Sequence, residues 1–163
     1  MQNLDSRIGA IVTLTPEMYT VLQSMYSNEY IYVRNVEILS ENKFKIKYVF
    51  PVDDLTNQII NKVSLIQIQL GIVQGVYLSL CLYMKNNPDC IISSEIMENI
   101  KERFYYFKDE RVFTKNITPS QESFLVFQID DIIDKEQFFS LNINLKSDQD
   151  SFMYGRIEGI ISK

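Results

Sequence analysis

The chain of 163 residues contains no histidine. That absence removes every mechanism that needs an imidazole. No Ser-His-Asp or Cys-His nucleophile can be assembled. No histidine-ligated zinc or haem site can form, and a dehydratase working through a histidine base is excluded. Cysteine is scarce, with only Cys81 and Cys90. Two thiols are too few to staple a secreted fold, so a reducing cytoplasm is the expected location. Cys81 lies in an apolar helical stretch and reads as core filler. Cys90 follows Asn86-Asn87-Pro88-Asp89 and reads as a residue near a loop. Basic runs are also missing, and the net charge is −5. Nucleic acid is therefore not an expected partner, because phosphate neutralisation needs a basic footprint. No cluster of metal ligands stands out, and no cofactor is expected. Met1 to Arg7 is polar and Ile8 to Leu14 is short, so no signal peptide is expected.

What is present is ordinary for a packed protein. Hydrophobic residues make up 46% and charged residues 23%, which suits a core of normal size. The length fits one domain. Ile, Asn and Lys are abundant and Ala is rare, which reads as genomic base bias. Thr15-Pro16-Glu17 has the chemistry of a helix start: an N-cap, a Pro for the first turn, and an acid for the dipole. Met18, Val21, Leu22 and Met25 follow at helical spacing, up to Ser27-Asn28. Tyr30 to Leu39 is rich in β-branched and aromatic residues. After a turn at Ser40 to Lys43, Phe44 to Tyr48 alternates apolar and charged, so the two runs predict a hairpin that ends at Pro51. Val52 to Lys62 is a polar loop with Asp53, Asp54, Asn57 and Asn61.

Val63 to Met84 contains no charged residue. Its length alone would satisfy a membrane span of roughly 20 apolar residues. Ser64, Gln67, Gln69, Gln74, Gly75 and Ser79 interrupt it, however, so a helix buried on most sides is the better reading. Ser93-Ser94-Glu95 starts a further helix carrying Ile96, Met97, Ile100, Phe104 and Tyr105. Lys108 to Gln121 is polar and turn-rich. Phe124 to Ile129, Phe138 to Leu145 and Phe152 to Ile161 are strands. The order predicts an α+β hotdog fold, in which an antiparallel sheet wraps a long central helix.

Three segments carry a resemblance to the hotdog-fold long-chain fatty acyl-CoA thioesterases of the mycobacterial type. The first is Lys45-Ile46-Lys47-Tyr48-Val49-Phe50-Pro51 with Asp53-Asp54. The second runs from Ile66 to Tyr77 and is similar to the family's Glu-x-Asn-x-x-x-Asn-Gln-x-x-Tyr helix. The third, Lys115 to Phe124, looks like a basic-x-Ile-Asn-Pro segment entering a strand. Tyr154-Gly155-Arg156-Ile157 fits the last strand. Gln74 and Tyr77 match the helix pattern. Gln67 stands in place of Glu, Gln69 in place of Asn, and Val73 in place of Asn. Ser64 sits near a further family Asn.

The resemblance implies thioester chemistry with Ser64, Gln74 and Tyr77 as catalytic candidates. Tyr48, Asn61, Gln67, Gln69 and Val73 are then substrate-binding candidates. The amides at the central helix start would polarise the thioester carbonyl. The implied partner is fatty acyl-CoA or acyl-carrier protein, and the implied assembly is a homodimer or higher homo-oligomer. Relatives that add an amine to an enoyl thioester widen the choice beyond hydrolysis.

Each candidate has a plainer reading. Gln67, Gln69 and Gln74 also suit buried amides bonded to backbone or subunit partners. Tyr77 suits a core position with a satisfied hydroxyl, and Ser64 a simple cap. Asp53 and Asp54 suit either a general base or a solvated loop. Phe104-Tyr105-Tyr106-Phe107 suits either the roof of an acyl tunnel or core packing. Val73 and the missing acid at Gln67 favour a second function, a non-catalytic hotdog module that binds an acyl chain or serves as an assembly partner.

Overall fold

A computed structural model describes residues 8–9, 11–52, 62–148 and 152–163. The elements in chain order are β1 (Ile11–Thr13), α1 (Pro16–Met25), a 3-10 turn (Asn28–Tyr30), β2 (Val33–Ser40), β3 (Lys43–Val49), α2 (Leu65–Asn86), α3 (Ser94–Glu98), α4 (Ile100–Arg103), β4 (Phe104–Phe113), β5 (Glu122–Asp134), β6 (Phe138–Ser147) and β7 (Met153–Ser162). The strands form a seven-stranded sheet in the order β1-β2-β3-β5-β6-β7-β4, antiparallel throughout.

The alternation anticipated for the hairpin decides which face is buried. Phe44, Ile46 and Tyr48 point inward at 0% exposure, while Lys43, Lys45 and Lys47 point out. Leu125, Phe127 and Ile129 continue that inner face on β5, Leu141, Ile143 and Leu145 on β6, and Ile157 and Ile161 on β7. The central helix α2 lies across it, in contact with β2, β3 and β5. Ile72, Val76, Leu78 and Leu80 of α2 are fully buried. By length and composition α2 is apolar enough to cross a membrane, but 67% of its most apolar window is buried inside this fold, the mark of a core helix.

Two glycines set how closely sheet and helix approach. A Cβ on Gly75 would run into the Tyr48 hydroxyl and the Phe127 ring. A Cβ on Gly71 would stand 3.0 Å from the Phe50 ring. Glycine at these positions lets the bulky aromatics of β3 and β5, and Phe50 just after β3, reach the helix backbone.

Several sequence expectations are corrected. The helix expected to run from Ser93 through Phe104 and Tyr105 is two short helices, and the chain turns extended at Phe104. Lys108 to Phe113, expected within a polar loop, belongs to β4. Charge falls on both faces of that strand, and a register shift between Tyr106 and Lys108 resets its alternation. The period-2 signal is thereby lost. β1 was not anticipated, and β5 extends five residues past Ile129 to Asp134. The central helix starts and ends two residues later than expected.

Candidate functional site at the start of the central helix

The site is built by the entry of the chain into α2. Ser64 is the N-cap. Its hydroxyl accepts from the Gln67 amide at 3.2 Å, and the Gln67 side chain accepts from the Ser64 amide at 3.0 Å, a reciprocal capping box. The remaining Gln67 N–H donates to the Pro51 carbonyl at 3.0 Å, tying the helix start to the end of β3. The Ile68 amide already bonds the Ser64 carbonyl at 3.1 Å. An α-helix leaves its first amides without intrahelical partners. With Gln67 and Ile68 engaged, Leu65 and Ile66 are, among the described residues, the amides of this turn that remain as donors, and both side chains are exposed.

A cavity of about 350 Å³ opens at this end, lined by Ser64, Leu65, Ile68, Phe113, Ile117 and Asn116, with Lys62 and Lys115 at its margin. The Val63 amide donates to the Ile117 carbonyl at 2.9 Å and so fixes the 114–117 segment beside the helix. Ser120, in the left-handed region at φ 62, lets the chain reverse and donate to the Phe50 carbonyl. The walls are apolar and the margin is cationic. Helix dipole and lysines together favour negative charge developing in this cavity.

The other sequence candidates lie apart from it. Gln74 has no exposure. Its amide oxygen accepts from the Tyr32 amide at 3.0 Å, and its nitrogen donates to the Tyr30 carbonyl. Both ends therefore clamp the segment entering β2. Tyr77 is 6% exposed and meets the Phe104 ring edge-on at 5.9 Å. Burial pushes its hydroxyl pKa up, so it acts as a neutral group rather than a base. Tyr48 is wholly buried beneath Gly75, and among the described residues its hydroxyl has no hydrogen-bond partner. Val73 is partly buried against the core. Asn61, like Asp53 and Asp54, lies outside the described residues. So does the Phe107 side chain; of its neighbours, Phe104 is buried and Tyr105 exposed.

Sequence reasoning missed one polar group. Gln69 accepts from Arg111 of β4, and Arg111 grips Asp109 through two nitrogens at 2.5 and 2.6 Å. Asp109, Arg111 and Phe113 pair with Ile157, Gly155 and Met153 and so share the helix-facing side of β4. Only recognition of β4 as a strand could have revealed this pattern.

Comparison with known proteins adds the architecture. No family model and no curated protein matches the sequence. Solved structures do match. Zebrafish thioesterase superfamily member 2 aligns at TM-score 0.57 and 8% identity, over 93% of this chain and 99% of that one. A thioesterase of Haemophilus influenzae aligns at 0.54 and 12%, over 92% of each chain. A hypothetical thioesterase of Streptococcus pneumoniae, solved with coenzyme A, aligns at 0.55 and 4%, over 90% and 94%. This is a hotdog fold. The architecture expected from the element order is the one observed, and at these identities the likeness speaks for the fold alone. Among the described residues, the cavity at the start of α2 brings together the helix start, apolar walls and lysines.

Proposed function

We propose that this hotdog protein hydrolyses acyl thioesters carried on CoA or on a carrier protein. The observation that carries the reading is the apolar cavity at the start of α2, lined by Ser64, Leu65 and Ile68 of the turn that carries the Leu65 and Ile66 amides. In this scheme the thioester carbonyl oxygen accepts from those amides. Water adds to the carbonyl carbon and loses a proton to solvent. The C–S bond then breaks, and the leaving thiolate takes up a proton. Asn116 and Ser64 line the cavity and would orient water, and Lys115 would stabilise the oxyanion at longer range. The resemblance to long-chain acyl-CoA thioesterases of the mycobacterial type supports a fatty acyl substrate, and two free thiols agree with a cytoplasmic setting.

A homodimer completes the proposal. Among the described residues β4 ends the sheet, paired only with β7, and leaves a free hydrogen-bonding edge. Phe113 is 40% exposed beside Leu65 at 69% and Ile66 at 73%. A second copy added at that edge would cover them and wall the cavity.

The test is release of free thiol from acyl-CoAs of graded chain length. The informative variant is Leu65→Pro, because proline is favoured at the first helical position yet has no N–H to donate. Loss of one oxyanion donor predicts a fall in kcat of about 10²–10³-fold. Unchanged turnover in a folded variant would remove the amide from the mechanism, and no turnover of any substrate by the parent protein would remove hydrolysis.

One observation favours the second reading, a non-catalytic acyl-binding module. The described residues lining the cavity include no carboxylate, and the Gln67 and Gln74 amides are spent on the protein itself. Native mass spectrometry separates the two, since retained lipid without turnover supports the module.

A further inference from the structure

The face of the sheet that α2 leaves uncovered carries a second cavity, of about 770 Å³, within the range of small-molecule sites. Strand register explains it. Lys43, Gln128, Asn144, Arg156 and Glu110 stand side by side across five strands. The next row places Val126, Lys146 and Tyr154 on adjacent strands. Val126 forms the floor at 4% exposure, and Tyr154 stands 55% exposed at one side.

The electrostatics of this trough differ from the rest of the face. Lys45 is neutralised by Asp148 and Glu37, Lys47 by Glu122, and Lys108 by Glu110. Arg156 donates to Asn142 at 2.9 Å and meets Glu158 at 3.5 Å. Among the described residues, Lys43 and Lys146 have no ion-pair partner, although the chain carries −5 overall. The amide nitrogens of Gln128 and Asn144 both donate to Asp130, which leaves their oxygens as acceptors over the trough.

We propose that this trough is a binding site for a nucleoside phosphate, distinct from the cavity at the start of α2. Tyr154 and the Val126 methyls suit the face of a planar ring. The Gln128 and Asn144 oxygens suit an exocyclic amino group on that ring. Lys43 and Lys146, two strands apart, suit the phosphate. The site lies on the opposite face from the thioester cavity, and its occupancy is read directly, without turnover.

The experiment is titration of the whole protein with ADP, followed by calorimetry and by backbone amide shifts. Saturable binding is expected, with shifts centred on Gln128, Asn144 and Lys146. Adenosine should bind more weakly, and added salt should weaken ADP but not adenosine. Lys43→Gln and Lys146→Gln should each weaken ADP about tenfold, with Lys85→Gln as a control that changes nothing. Two sources of the nucleotide are separable. If it belongs to CoA, ADP competes with acyl-CoA and the double variant raises KM. If it is a free nucleotide, KM is unmoved while ADP still binds. Absence of saturable ADP binding, or equal affinity in a double variant with native circular dichroism, overturns the site.

Discussion

Gln74, Gly75 and Tyr48 show how one residue's role depends on what stands opposite it. Gln74 reads in sequence as a polar position on a catalytic helix. In the structure both ends of its amide satisfy backbone groups at Tyr30 and Tyr32. Gln74→Ala would remove the bonds to the buried Tyr32 amide and the part-buried Tyr30 carbonyl, and should cost about 1–3 kcal/mol in urea unfolding. Tyr48 is the converse case, because its buried hydroxyl has no partner among the described residues. Removing an unsatisfied buried group is neutral or favourable, so Tyr48→Phe should raise stability by up to about 1 kcal/mol. It should also leave thiol release unchanged if Tyr48 never meets substrate, and a loss of turnover would return Tyr48 to the site. Gly75→Ala drives a methyl into Tyr48 and Phe127 and should destabilise by about 1–3 kcal/mol.

At the scale of elements, two pieces carry the functional argument: the first turn of α2 and the free edge of β4. Ser64 and Gln67 cap each other and hold the helix start against Pro51. Ser64→Ala should lower stability by about 1 kcal/mol. If Ser64 only caps, kcat stays near that of the parent below the melting transition. If Ser64 orients water, kcat falls while the protein remains folded. The β4 edge makes a different prediction. A dimer should appear in light scattering at twice the 19.1 kDa chain mass. Inward-facing charge on an edge discourages pairing, so Ile66→Lys with Phe113→Lys should give monomer. A parent protein that is already monomeric at high concentration would remove the shared cavity.

The whole molecule has an alkaline liability written into its tyrosines. Burial raises the hydroxyl pKa of Tyr48, Tyr77 and Tyr106, and pushes Tyr26 up to about 12. Below about pH 10, folded and unfolded chains both hold these protons, and stability is unaffected. Above it the unfolded chain loses them first, so stability falls as pH rises through the gap. Urea midpoints should therefore drop steeply beyond about pH 10, and the tyrosinate absorbance owed to the buried tyrosines should appear together with loss of helix. Ionisation of Tyr48, Tyr77 or Tyr106 in the intact fold, read as the absorbance lost in the matching Tyr→Phe variant, would contradict the burial of these hydroxyls.

At this same scale the division between sequence and tertiary structure is clear. The uncharged run through α2, the β2–β3 hairpin and the alternating strands β6 and β7 were legible because each carries its periodicity within its own residues. So was the hotdog architecture, since the element order follows from those pieces. The start of α2 could be picked out as a candidate because Ser64 is a cap by type and position. What only the tertiary structure decided depends on partners distant in the chain. β4 is a strand because β7 pairs with it, not because its own residues alternate. Gln69 meets Arg111 across 42 residues, and Gln74 reaches Tyr32 across the same separation. The outer trough exists because four register alignments bring Lys43, Gln128, Asn144, Arg156 and Glu110 into one row. Local propensity is written residue by residue, but register and burial are properties of pairs, and only the folded chain brings those pairs together.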